Sequence, residues 1–182
     1  MRRLGLLFLC LLQFSCSSQV EQKINGVSFV ASRNEVLQEH IDDVKEVHAN
    51  HAAVMPFGFI RDVASPEIVF NTERQWFGET NKGAMQYIGL LHKNNIKTMV
   101  KPQIWIWRGE FTGTLQMNSE DDWKKLEASY EKFILANAKM AQETRSEILC
   151  IGTELEKFVM NRPEYWHGLI AKIRTVYDGK LT

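Results

Sequence analysis

At 182 residues, the chain is long enough for one domain with a real hydrophobic core. With 45% hydrophobic and 24% charged residues, it is neither a disordered nor a collagen-like sequence. Basic and acidic residues balance at 22 each, with no basic stripe, so nothing points to nucleic acid as a partner.

The start of the chain differs from the rest. Met1-Arg2-Arg3 is basic, residues 4–12 are an apolar run, and Phe14-Ser15-Cys16-Ser17-Ser18 follows. A basic start, a short apolar core and small residues before a cut site mark an export signal. The run is too short to span a bilayer, which takes about 20 apolar residues. The Ser15-Cys16 step resembles a bacterial lipobox, with Cys16 as the lipidated first residue of the mature chain. Gln13 stands where a lipobox usually has Leu. The expected organisation is therefore a signal peptide over 1–15, a tether over 16–23 and a globular part over 24–182. Such a protein is exported and lipid-anchored to a bacterial membrane, at the outer membrane or cell surface. An uncleaved anchor, or a plain signal peptide cut elsewhere, is the alternative. Cys10 falls in the signal, and Cys150 lies in an apolar run as a small core residue. No cysteine pair remains for a disulfide, no Cys/His spacing suggests a metal, and no cofactor is expected.

The globular part alternates apolar runs with amphipathic stretches. Asn25-Gly26-Val27-Ser28-Phe29-Val30-Ala31 reads as a strand. Asn34 can cap a helix with Leu37, Ile41, Val44 and Val47 on one face. A second strand covers residues 52–58, followed by an aperiodic loop to residue 76. Ala84, Ile88 and Leu91 mark a second helix, ending near Asn94-Asn95. The third strand covers residues 96–105, with a loop over 108–113. Ser119 is a good N-cap, with Glu120, Asp121 and Asp122 in the first turn. Its helix aligns Trp123, Leu126, Tyr130, Phe133, Ile134 and Asn137. Residues 147–153 form the fourth strand. The last helix starts near Pro163, carries Trp166, Leu169, Ile170, Ile173 and Tyr177, and ends at Gly179.

Strand and helix thus alternate four times, which implies an α/β fold with a parallel sheet. A TIM (β/α)8 barrel takes about 250 residues. The expected fold is such a barrel truncated to about its first four β-α units, over 24–182. An open doubly wound sheet is the runner-up, but no Gly-rich phosphate loop follows the first strand.

In a barrel, function collects at the carboxyl ends of the strands. Those ends carry Ser32, Arg33 and Asn34, then Phe57, Gly58 and Arg61, then Gln103, Trp105 and Trp107, and last Thr153, Glu154 and Glu156. Side chains alternate between strand faces. Val100, Pro102 and Ile104 form an apolar set suited to the helices. Met99, Lys101, Gln103 and Trp105 would then face the barrel. Buried Lys101 and Gln103 need partners: a ligand, a catalytic carboxylate, or an internal hydrogen-bond network. If Leu149 and Ile151 face the helices, Glu154 faces the mouth. A carboxyl enclosed there beside rings such as Trp105 suits a general acid; a solvated strand-end Glu is the other reading. Glu156 competes for the role but reads as loop. Trp105 and Trp107 suit stacking on sugar faces, and Trp107 is the more expected of the two to be core.

Together, Ile24-Asn25-Gly26-Val27-Ser28-Phe29, Lys101-Pro102-Gln103-Ile104-Trp105 and Ile151-Gly152-Thr153-Glu154-Leu155 resemble glycoside hydrolase family 113. That family holds endo-β-mannanases of the clan A barrels. The resemblance covers essentially all of the globular part. It implies a retaining glycosidase whose acid/base Glu ends the fourth strand, matching Glu154, and whose nucleophile Glu ends the seventh. Thr153 stands where the clan usually has Asn, which puts the contact to the substrate 2-hydroxyl in doubt. The nucleophile has no counterpart in these 182 residues. Retention needs two carboxyl groups about 5 to 5.5 Å apart, so Glu154 by itself cannot complete the cycle. The expected function is a retaining hydrolase of mannan-like β-linked polysaccharide, seen here as an incomplete and by itself inactive part. Arg33, Lys101, Gln103, Trp105, Trp107 and Thr153 are the candidate substrate-binding residues. The alternative is a non-catalytic glycan-binding surface lipoprotein.

Overall fold

A computed structural model describes residues 23–182. The expected signal peptide, Cys10, and Cys16 as the lipidation site lie outside the described residues. Five strands form one parallel sheet: β1 (Gly26–Phe29), β2 (His51–Val54), β4 (Lys97–Val100), β6 (Ile148–Leu149) and β7 (Lys180–Leu181). A two-stranded parallel sheet joins β3 (Phe57–Ile60) to β5 (Gln103–Ile106). These short strands continue β2 and β4. Pro56 and Pro102 have no N–H to give a ladder, so each long strand is interrupted there. The register nonetheless carries across: Val54 pairs with Val100, and Phe57 pairs with Gln103 at the same offset. Lys101 N donates to Val54 O at 2.8 Å and Gln103 N to Pro56 O at 2.9 Å, bridging the gap.

Among the described residues the α-helices are α1 (Gln38–Glu46), α2 (Asn81–Lys93), α3 (Glu120–Thr144), α4 (Glu156–Asn161) and α5 (Pro163–Arg174). Along the chain, each strand of the main sheet sits beside the previous one, and the order never reverses. A doubly wound sheet reverses at a switch point. The runner-up fold is therefore excluded, and the order is that of the opening strands of a (β/α)8 barrel. Burial agrees: Ala52, Val54, Thr98, Val100 and Leu149 are buried beneath the helices. Ala53, Met99 and Ile148, on the opposite face, are only half-buried.

Several elements differ from expectation, each for a physical reason. The first helix begins at Gln38, because Asn34 is held elsewhere: its carbonyl accepts from Tyr87 Oη at 2.9 Å. Leu37 and Val47 are consequently flanking and exposed, leaving Ile41 and Val44 as the buried face. Glu156 opens the short α4 instead of lying in a loop. The last helix ends at Arg174, and Lys180–Leu181 begin a fifth strand beside β6. Thr182 N donates to Leu149 O at 3.0 Å, and Ile151 N to Thr182 O at 2.8 Å. The Ser119 cap is present, its Oγ accepting from Asp122 N at 3.1 Å.

An aromatic cluster fixes the exit of β6. Tyr130 from α3, Phe158 from α4 and Trp166 from α5 meet with ring centroids 5.2 to 5.5 Å apart. Tyr130 Oη donates to Ile151 O at 2.7 Å, pegging the backbone as it leaves the sheet. At the opposite end of the strands, buried Thr98 bonds Ser146 Oγ at 2.9 Å, and its N–H donates to Glu147 Oε2 at 2.8 Å.

Phe158 is fully buried, so Phe158→Ala is expected to cost about 3–5 kcal/mol through lost burial and a cavity. Tyr130→Phe deletes one hydrogen bond and leaves a part-buried carbonyl short of a donor, at a cost of about 0.5–1.5 kcal/mol. Urea midpoints of the two variants against the parent chain check both values and their order.

Candidate active-site cleft

A cleft of about 530 Å³ opens at the carboxyl ends of β1, β3 and β5. Val30 and Ala31 enter it directly after β1. Phe57 and Phe59 come from β3, Trp105 from β5, and Trp107 from just beyond it. The strand parity expected for 99–105 holds: Val100, Pro102 and Ile104 are buried against the helices, while Lys101, Gln103 and Trp105 point the other way. Trp105 is 50% exposed and Trp107 is 68% exposed. Trp107 is thus not core, and the alternative reading that would bury it does not hold. The chain turns straight after it, with Arg108 at φ 73° and Gly109 at φ 75°, and this leaves the ring at the mouth.

The rest of the cleft comes from the segment that reads as an aperiodic loop. It folds back on β3 through reciprocal backbone bonds between Phe59 and Val69, both 2.8 Å. Gln75 ties it down further, donating to Phe57 O at 2.9 Å and accepting from Thr72 N at 2.8 Å. Trp76 and Glu79 then line the cleft. Glu79 Oε2 accepts from Trp76 N at 2.9 Å. The turn at Phe77–Glu79 lies hard against α2, where a Cβ on Gly83 would run into the Phe77 carbonyl. Only glycine permits that approach. Neither Trp76 nor Glu79 stands out by periodicity; the available signal was a long loop in a compact domain, which is usually functional.

Glu79 is the carboxylate inside the cleft. Burial raises its pKa above the ordinary value, partly offset by the hydrogen bond from Trp76 N. Arg33 places its guanidinium over the Trp76 ring, 5.2 Å from the centroid, so it reaches the cleft through that ring.

The fourth-strand residues sit apart. Glu154 is exposed and is not part of the cleft lining. Its φ is 55°, in the left-handed region. Side-chain alternation holds only while the backbone stays extended, so parity does not set its direction. The enclosure by Trp105 that the sequence suggests is not supplied by the described residues. Thr153 Oγ1 lies 3.4 Å from Cys150 Sγ. Lys101 and Gln103 are half-buried on the inner face, and among the described residues neither side chain has a hydrogen-bond partner.

The family model for glycoside hydrolase family 113 matches residues 30–182. The chain belongs to glycoside hydrolase family 113. Among solved structures, a family 113 β-1,4-mannanase solved as a complex superposes with a TM-score of 0.76 at 19% identity. The match covers 87% of this chain and 54% of that one. AaManA, a family 113 β-mannanase from Alicyclobacillus acidocaldarius in complex with ManMIm, gives 0.75 at 20% identity, over 87% and 53%. At such identities the likeness is one of fold. This family member spans about half the length of those structures. No curated protein matches it.

The raised Glu79 pKa gives a signed prediction. The folded state holds this proton more firmly than the unfolded chain, so its contribution is present below the ordinary carboxylate value of 4.5 and is lost as pH rises through the folded value. The parent chain should therefore lose stability between acid and neutral pH more steeply than Glu79→Gln. Urea midpoints across that range, equal in slope for both proteins, would refute it.

Proposed function

We propose that this chain supplies the amino-terminal half of a retaining glycoside hydrolase acting on mannan-like β-linked polysaccharide, with Glu154 as its acid/base residue. The observation that carries this is position. β6 is the fourth strand in an unreversed parallel order, and Glu154 follows it at the same rim as the aromatic cleft. Family membership and the mannanase fold of the solved relatives support the same reading.

In this mechanism Glu154 gives its proton to the leaving glycosidic oxygen as that bond breaks. A second carboxylate attacks the anomeric carbon and forms the glycosyl-enzyme. Glu154, now ionised, then takes a proton from the water that releases the sugar. The second carboxylate belongs on the seventh barrel strand, and among the described residues the five-stranded main sheet does not reach it. Trp105 and Trp107 offer rings for sugar faces. Lys101 and Gln103, unpartnered on the inner face beside the fourth strand, are placed to bind hydroxyls, and Thr153 takes the position next to the acid. Arg33 contributes at the rim through Trp76.

A glycan-binding protein without hydrolysis is the second reading. It is favoured by one observation: Glu154 is not among the residues that line the cleft. In a protein that carries both halves of the barrel, Glu154→Gln separates the two. Under the hydrolase reading, release of reducing sugar from mannan falls by about 10²–10⁴-fold, the usual contribution of a general acid/base. Hydrolysis at near parent rate would remove Glu154 from the mechanism.

The same proposal has the protein exported and held at a membrane surface by lipid on Cys16, supported by the pattern of residues 1–18. Cys16→Ser should move the protein from the membrane pellet to the soluble fraction. An unchanged distribution would rule the anchor out.

A further inference from the structure

The chain as a whole is neutral, with 22 basic and 22 acidic residues. The mouth of the cleft does not share that balance. Two smaller hollows adjoin it, of about 350 and 410 Å³. One shares Phe59, Val69 and Trp107 with the cleft, and the other shares Trp105 and Trp107. Among the described residues, the charged side chains that line the three are Arg61, Arg74, Arg108 and Glu79. Three cations thus stand against one carboxyl, and burial pushes that carboxyl toward its neutral form. Arg33 adds a fourth guanidinium through the Trp76 ring.

These cations have no acid of their own. Among the described residues, the side chains of Arg61, Arg74 and Arg108 have neither an ion-pair nor a hydrogen-bond partner, and Arg33 has only the ring. Arg162 shows the contrast, bonded to Glu120 at 2.9 Å and also to Glu127. Acids lie close in the chain: Asp62 follows Arg61, Glu73 precedes Arg74, and Glu110 comes two residues after Arg108. All three are exposed, and none belongs to the lining. The cations also come from separate segments. Arg33 follows β1, Arg61 follows β3, Arg74 lies in the loop before α2, and Arg108 follows β5. Arg108 takes φ 73°, a conformation that a non-glycine residue keeps only where its surroundings hold it. A guanidinium presents a fork of N–H donors that fits carboxylate and sulfate oxygens in pairs. A cleft lined by one sign of charge concentrates ligands of the other.

We infer that the cleft takes a glycan bearing anionic substituents, a carboxylate or a sulfate ester on its sugar rings, and that Arg61, Arg74 and Arg108, with Arg33, select it over the neutral chain. This rests on the glycan reading under Proposed function and narrows its substrate class.

Calorimetric titration of the full chain tests this with three β-1,4-linked sugars of equal length. They are mannohexaose, hexamannuronate (its counterpart with a carboxylate at each C6) and mannohexaose sulfated at O6. In about 0.02 M salt, one or both acidic sugars should bind about ten-fold more tightly than mannohexaose. That lead should vanish in about 1 M salt, where exposed charges are screened. The acidic sugar that binds more tightly identifies the substituent. Arg61→Gln, Arg74→Gln and Arg108→Asn should each weaken it by about two- to five-fold, the size of one exposed charge pair, and leave mannohexaose unchanged. Lys124→Gln removes an exposed cation outside the lining and should change neither affinity. Far-UV circular dichroism and urea midpoints establish that each variant is folded. Mannohexaose bound as tightly as both acidic sugars overturns the inference and leaves the glycan reading standing. Equal weakening by Lys124→Gln also overturns it, as does a hexaglutamate peptide bound as tightly as the acidic sugar, since either marks a general attraction of anions. A parent chain that binds none of the three sugars defeats the glycan reading, and this inference with it.

Discussion

Everything in this molecule depends on one constraint: adjacent strands pair in parallel, in chain order, and in a register that survives the proline breaks at Pro56 and Pro102. Parallel strands in register end at the same rim. The loops that follow β1, β3, β5 and β6 are thereby gathered on one side without any contact between the loops being needed. The same register divides each strand into a face buried by α1 to α5 and a face turned inward, with Val100 and Leu149 paired on the first and Met99 and Ile148 on the second. Lys101, Gln103 and Trp105 inherit the inward side from that division.

A second device sets the exit from the fourth strand. Tyr130 grips the Ile151 carbonyl on one side of the turn, and buried Leu155 and Phe158 anchor the other. Between them, Glu154 adopts a left-handed conformation that costs a non-glycine residue about 1–2 kcal/mol. The aromatic packing of Phe158 against Tyr130, Tyr165 and Trp166 offsets that strain. The outcome is an exposed carboxylate on a backbone firmly held at both ends. Strain held in this manner recurs at functional sites.

The rim combines two kinds of chemistry from different parts of the chain. Barrel strands two and three and the loop before α2 provide flat apolar rings, which offer contact area. The exit of the fourth strand provides an exposed carboxylate, the one proposed above for proton transfer. Glu79 belongs to the first group by location and, through its raised pKa, carries a mark often seen in functional clefts. Its partner, however, is the Trp76 backbone, so its bond orders the wall of the cleft.

Local pattern was enough to establish the parallel α/β class, the helix capped by Ser119, the faces of the third strand and, through family motifs, Glu154 as the candidate acid. These features are legible because burial on both faces writes continuous apolar runs into strands, and burial on one face writes a helical period. What the sequence could not determine was settled by contacts between distant residues. Asn34 looks like a cap, but Tyr87, far along the chain, claims its carbonyl. Lys180–Leu181 is too short to carry a pattern and becomes a strand only by pairing beside Leu149. The segment over 59–76 has no period because its order comes from bonds to β3, not from its own repeat, so Trp76 and Glu79 emerged as cleft residues only in three dimensions. Trp107 has the composition of a core residue, and the turn at Arg108 and Gly109 keeps it out. Periodicity reports which face of an element is covered; the partner that covers it, and the direction the chain takes afterwards, are decided by tertiary contact alone.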